Sequence, residues 1–84
     1  MEKLIFKIKN PEKRINLFLE ELLDKKNAEK AVTETNATAK NYDARITLYD
    51  FDKNLINKII QHPKTISAYI VKNNKVLKNL KSVA

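Results

Sequence analysis

Residues 44–71 read ARITLYDFDKNLINKIIQHPKTISAYIV, and they hold three patterns in a row. Ala44, Ile46 and Leu48 alternate with Arg45, Thr47 and Tyr49, a period of two that makes a strand with one apolar face. Asp50 or Asp52 then opens a helix over residues 53–61, because an aspartate accepts from the unpaired N–H groups of a first turn. Leu55, Ile56, Ile59 and Ile60 form its apolar stripe. Pro63 ends it. Over residues 65–71 the alternation returns, with Ile66, Ala68 and Ile70 against Ser67, Tyr69 and Val71. The unit is strand–helix–strand.

The N-terminal part repeats that rhythm. Leu4, Phe6 and Ile8 alternate with Lys3, Ile5 and Lys7, which predicts a strand. Asn10 as N-cap, Pro11 at the first helical position and Glu12 in the first turn predict a helix running to about Lys26. Its buried stripe is Ile15, Phe18, Leu19, Leu22 and Leu23, with Leu17 pointing away. Residues 28–42 are the weakest stretch. Residues 31–35 read as a polar edge strand and 38–41 as a loop, with continuation of the first helix as the alternative. The order β-α-β-β-α-β predicts an α+β domain over residues 1–72: a ferredoxin-like antiparallel sheet with two helices on one face. Residues 73–84 read as a short, basic, amphipathic C-terminal segment. Val76, Leu77, Leu80, Val83 and Ala84 share one helical face, and Lys75, Lys78 and Lys81 the other. A helix that short does not hold alone, so the segment is docked on the sheet or ordered by a partner.

The 84 residues carry a net charge of +7, and that charge is unevenly placed. Ten Lys/Arg balance ten Asp/Glu in residues 1–52, whereas residues 53–84 carry seven lysines and no carboxylate. Such a basic third attracts anionic partners. Cysteine is absent, so disulfides and thiolate metal sites are excluded. Glycine is absent too, which excludes a P-loop or a dinucleotide fingerprint. Any left-handed residue must then be Asn, Asp or similar, with Asn10, Asn27, Asn41, Asn73 and Asn74 as candidates. No apolar run is long enough to span a membrane, and the N-terminus has no signal-peptide pattern. A cytoplasmic location is expected.

Three stretches resemble ACT domains, small regulatory modules of metabolic and stringent-response enzymes. They are Ala44-Arg45-Ile46-Thr47-Leu48, Leu55-Ile56-Asn57-Lys58-Ile59-Ile60 and Ile66-Ser67-Ala68-Tyr69-Ile70-Val71. The likeness covers residues 3–72. It implies the ferredoxin-like fold and a regulatory domain that homodimerises and senses a small ligand or a partner protein. The family has a glycine after its first strand, at its ligand site. The turn here is Asn10-Pro11-Glu12-Lys13, and no ligand-binding residue carries over.

No catalytic or metal constellation stands out, and no cofactor is expected. His62, the single histidine, reads as a helix terminus. Asp50 and Asp52, with Asp43, could hold a magnesium ion, but helix capping by Asp52 or Asp50 explains them. Two candidate surfaces remain. Lys72, Lys75, Lys78 and Lys81, with Lys3, Lys7 and Arg45, would meet an anionic partner, nucleic acid or an acidic protein surface. Ile5, Tyr49, Tyr69 and Val71 would form an interaction patch on the open sheet face. That patch would stack single-stranded bases, or be covered by a homodimer partner or by the C-terminal segment.

Overall fold

The computed structural model describes residues 2–9, 15–37 and 42–82, the side chains of 36, 37, 42 and 43 excepted. Strand β1 (Glu2–Lys9) is followed by helices α1 (Ile15–Leu23) and α2 (Lys25–Lys30), then by strands β2 (Val32–Ala37) and β3 (Tyr42–Leu48). Helix α3 (Lys53–Gln61) leads to β4 (Thr65–Lys72) and β5 (Lys75–Ser82). The architecture is α+β. All strand pairs are antiparallel, in the order β2-β3-β1-β4-β5.

The apolar alternation of β1 and β3 decides which side carries the helices. Leu4, Phe6, Ile8, Ala44 and Ile46 are fully buried, as are Leu23 of α1 and Ile59 of α3. They belong to one cluster with Phe18, Leu19, Leu22, Leu48, Leu55 and Ala68. Leu17, outside the stripe, is 52% exposed. Asp52 caps α3, its carboxylate accepting from Leu55 N–H at 2.8 Å. The Asn10 and Pro11 start of the first helix and the 38–41 loop lie outside the described residues.

Three expectations need correction. The first helix is two helices. Asp24 interrupts it with φ 74° and ψ 166°, a region that costs a non-glycine residue on the order of 1–3 kcal/mol. Hydrogen bonds hold it there. Its N–H donates to Glu20 O at 3.0 Å, and its carboxylate accepts from Asn27 N–H at 2.9 Å, capping α2. The edge strand and the helical extension proposed for residues 28–42 are thus both present in part, α2 ending at Lys30 and β2 starting at Val32.

Ile66 does not take the core position that its alternation predicts. Lys7 pairs with Ser67 but Ile8 pairs with Thr65, so Ile66 is an extra residue in β4. Thr65 is fully buried in its place, and its Oγ1 has no hydrogen-bond partner among the described residues. The third correction concerns residues 75–82, which form a strand and not an amphipathic helix. Asn73 and Asn74, at φ 53° and 62°, close a two-residue hairpin between Lys72 and Lys75, the turn that needs left-handed residues at both positions.

Candidate functional site

Directly paired residues of an antiparallel ladder share a face, so the registers place the sequence-predicted site residues. Three cross-strand rows line the open side, opposite the helices. One row joins Glu34, Arg45, Lys7, Ser67 and Ser82; the next joins Val32, Thr47, Ile5, Tyr69 and Asn79. The third joins Lys3, Val71 and Val76. Lys3, Ile5, Lys7, Arg45, Tyr69 and Val71 are therefore brought together. Val71 is 7% exposed although it lies away from the main core. Tyr49 follows the end of β3 and is 52% exposed.

The four C-terminal lysines lie elsewhere. Lys72 pairs with Lys75, Lys78 with Ile70 and Lys81 with Ala68. Since Ile70 and Ala68 pair with Leu4 and Phe6 on the helix side, and Lys72 pairs with Glu2 in the same register, all four lysines register on that side, Lys75, Lys78 and Lys81 on the edge strand and Lys72 at the end of β4. Two shifts in β5 make this possible. Leu77 and Leu80 are each skipped in the pairing with β4. A spacing of three residues, ordinarily the mark of a helix, thus becomes one row on a strand, because each shift adds a residue to the period of two. Lys72, Lys75 and Lys78 are exposed, and Lys81 is half-buried.

This placement also corrects the expected cover. The C-terminal segment does not fold over Ile5 and Tyr69. Leu80 packs against the helix-side core, Leu77 is exposed, and Val76 lies beside Val71 and widens the open face.

A depression of about 370 Å³ sits on the open face. Its lining includes Ile5, Lys7, Glu34, Arg45, Ser67 and Tyr69. The Arg45 guanidinium donates to Glu34 Oε2 at 2.7 Å. Both side chains are exposed, so the pair contributes about 0–1 kcal/mol, but it holds the guanidinium beside the depression. Serine, tyrosine, lysine and arginine around an isoleucine can bind and orient a flat, anionic ligand.

His62 lies at the end of α3. Its ring meets Phe18 edge-on at 5.0 Å, and its Nδ1 accepts from Lys64 N–H at 3.1 Å. Lys81 Nζ donates to its carbonyl at 3.1 Å, tying β5 to the helix layer. Burial, and then the charges of Lys64 and Lys81, lower its pKa below the usual 6.5. The neutral ring that results suits a structural joint.

Among the described residues no group of three or more His, Asp or Glu could hold a metal ion. Asp52 is occupied as the cap of α3. Alternation already puts Ser67 on the face of Tyr69 and Val71, but sequence reasoning missed Glu34 and Asn79 as lining or neighbouring residues. Their positions follow from strand register, which a single sequence does not display. No family model, curated protein or solved structure matches the chain.

Proposed function

We propose that this protein is a small non-catalytic binding module whose basic C-terminal third engages nucleic acid. The supporting observation is the row of Lys72, Lys75, Lys78 and Lys81 on one side of the β4–β5 edge, in a segment without a carboxylate. Lysines spaced along one strand edge can follow a phosphate backbone. Contacts of that kind read charge and not sequence. We read β2-β3-β1-β4 and its helical crossovers as a ferredoxin-like sheet with an ACT-like rhythm, to which β5 adds an edge strand. The cytoplasm is its expected compartment. Among the described residues no helix is long and apolar enough to cross a membrane.

The test is oligonucleotide binding at a series of salt concentrations. On a single strand, contacts by the exposed Lys72, Lys75 and Lys78 predict a slope of log K against log salt of about −2, and a fourth by Lys81, whose Nζ also donates to the His62 carbonyl, brings it to about −3, from roughly −0.7 per contact. Replacing all four lysines with Gln flattens that slope and weakens binding. Lys25 and Lys26, exposed on α2 beside Asp24, are the control, and their replacement leaves the slope nearly unchanged. An unaltered slope in the quadruple variant, or no binding by the parent chain, defeats the proposal.

A second reading, an ACT-like regulatory domain that homodimerises, is favoured by the partly apolar open face around Ile5, Val71 and Val76. It predicts a concentration-dependent dimer in sedimentation, indifferent to oligonucleotides.

A further inference from the structure

The strongest unassigned feature is the open-face depression. Tyr69, half-buried, lines it, next to Ile5 on β1 and opposite Asn79 on β5. The Leu80 shift creates that last pairing. An unbroken register from Ala68↔Lys81 would set Leu80 against Tyr69; instead Asn79 stands there and is exposed. An aromatic ring therefore has an amide beside it, on a face whose rows on either side carry cations. Lys3 lies in one flanking row, Lys7 and Arg45 in the other. Successive rows on one face are two residues apart, about 6.7 Å. Among the described residues of these three rows Glu34 is the one carboxylate, and it is engaged with Arg45.

We propose that this depression receives a nucleobase of a single strand, stacked on Tyr69, with its edge met by the Asn79 amide and its flanking phosphates by Lys3 and Arg45. Each part has a physical reason. Every base has a π-face, so a tyrosine on an open sheet accepts it without regard to sequence. The amide of Asn both donates and accepts, as a base edge requires. Arg45 keeps donors beyond the one that meets Glu34, since a guanidinium has five. Duplex bases are already stacked and paired, so the site selects single strands. Strand β5 links this site to the lysine row, because Val76, Asn79 and Ser82 register on the open side and Lys75, Lys78 and Lys81 on the other.

This inference rests on the nucleic-acid reading, and its test separates the two. Labelled oligothymidylate and oligoadenylate dodecamers are titrated singly and as their duplex. Tyr69→Leu should weaken single-strand binding about 5- to 150-fold, the effect of removing one stacked base, and leave duplex binding unchanged. Tyr69→Phe, which keeps the ring, should bind like the parent. The chain has three tyrosines and no tryptophan, so quenching of tyrosine emission by the single strand, reduced in Tyr69→Leu, reports the stack directly. Asn79→Ala is an exposed change that spares the fold, and it should alter the ratio of thymidylate to adenylate affinity. If the Tyr69 and Asn79 variants match the parent while the four-lysine variant loses binding, the stacking site is wrong and the lysine row stands. Equal parental affinity for duplex and single strand also overturns the site. A parent that binds no oligonucleotide overturns both.

Discussion

Phe6 and Ile5 are neighbours on the central strand, yet they belong to different environments. Phe6 is fully buried beneath the helices, whereas Ile5 is half-buried on the open side. The contrast extends across β1 and β3. On the helix side Leu4, Ile8, Ala44 and Ile46 leave no exposed surface. On the other side Lys3, Lys7 and Arg45 interleave with the half-buried Ile5 and with Thr47, a buried but polar residue. One sheet thus has a face that holds the fold together and a face of mixed apolar and cationic character. A uniform apolar sheet would have spent both faces on stability and exposed an aggregation-prone surface.

The largest test of that contrast is a pair of truncations. Phe6→Ala should cost about 3–5 kcal/mol in urea unfolding, a core phenylalanine's usual loss. Ile5→Ala should cost about 1 kcal/mol, because only part of its surface leaves water. If Ile5→Ala proves as damaging as Phe6→Ala, the open face is packed against a second copy, and the dimer reading gains.

Thr65 blurs the contrast from the helix side, since a hydroxyl without a described partner sits among apolar residues. Thr65→Val keeps the shape and removes the unsatisfied group. A buried polar group of that kind costs about 1–3 kcal/mol, so the variant should unfold at higher urea. A destabilised variant would mean that the hydroxyl has a partner after all.

His62 sharpens the contrast least, but with a definite sign. Its folded pKa lies below the usual 6.5, so at intermediate pH the unfolded chain binds the proton more readily. Its contribution is present in full above pH 6.5 and is lost as the pH falls through the lowered value. The melting temperature should therefore drop on acidification through this window. His62→Asn, whose Oδ1 can accept from Lys64 N–H at any pH, should flatten this part of the profile even if its melting temperature is lower throughout. An equally steep variant would assign the pH dependence to other groups.

These tests reach features that differ in how far the sequence displays them. β1, β3 and α3 are legible because one signal dominates each: alternation in the strands, and the aspartate cap, Asp50 or Asp52 by sequence and Asp52 in the structure, with the stripe from Leu55 to Ile60 in the helix. Asn73 and Asn74 are legible as left-handed residues, but the helical spacing of the lysines that follow hides their hairpin. The Asp24 break is harder to see. No glycine or proline marks it, and its cause is local hydrogen bonding with Asn27 and Glu20. Register shifts are the main source of error. At Ile66 one extra residue exchanges the sides of Ile66 and Thr65, and in β5 two shifts make a strand imitate a helical period. Plain alternation already sets Lys72 and Lys75 on the side opposite Lys3, Lys7 and Arg45; the two shifts in β5 bring Lys78 to the side of Lys72 and Lys75, and Asn79 to Tyr69. A shift depends on the partner strand, so one strand's sequence does not reveal it.

The position of β1 has a consequence for how the chain assembles. This strand precedes its neighbours in sequence but occupies the middle of the sheet, with Leu4 opposite both Leu48 and Ile70. During synthesis its two edges must wait for β3 and β4. The β4–β5 hairpin, by contrast, closes over two residues and can form on a timescale of about 1–10 μs. Assembly is therefore expected to start from its C-terminal end and to finish when β1 inserts between strands made long after it. A ribosome stalled before β4 would hold a chain whose central strand, with the core residues Leu4, Phe6 and Ile8, has an unpaired edge, a state prone to pairing with other chains.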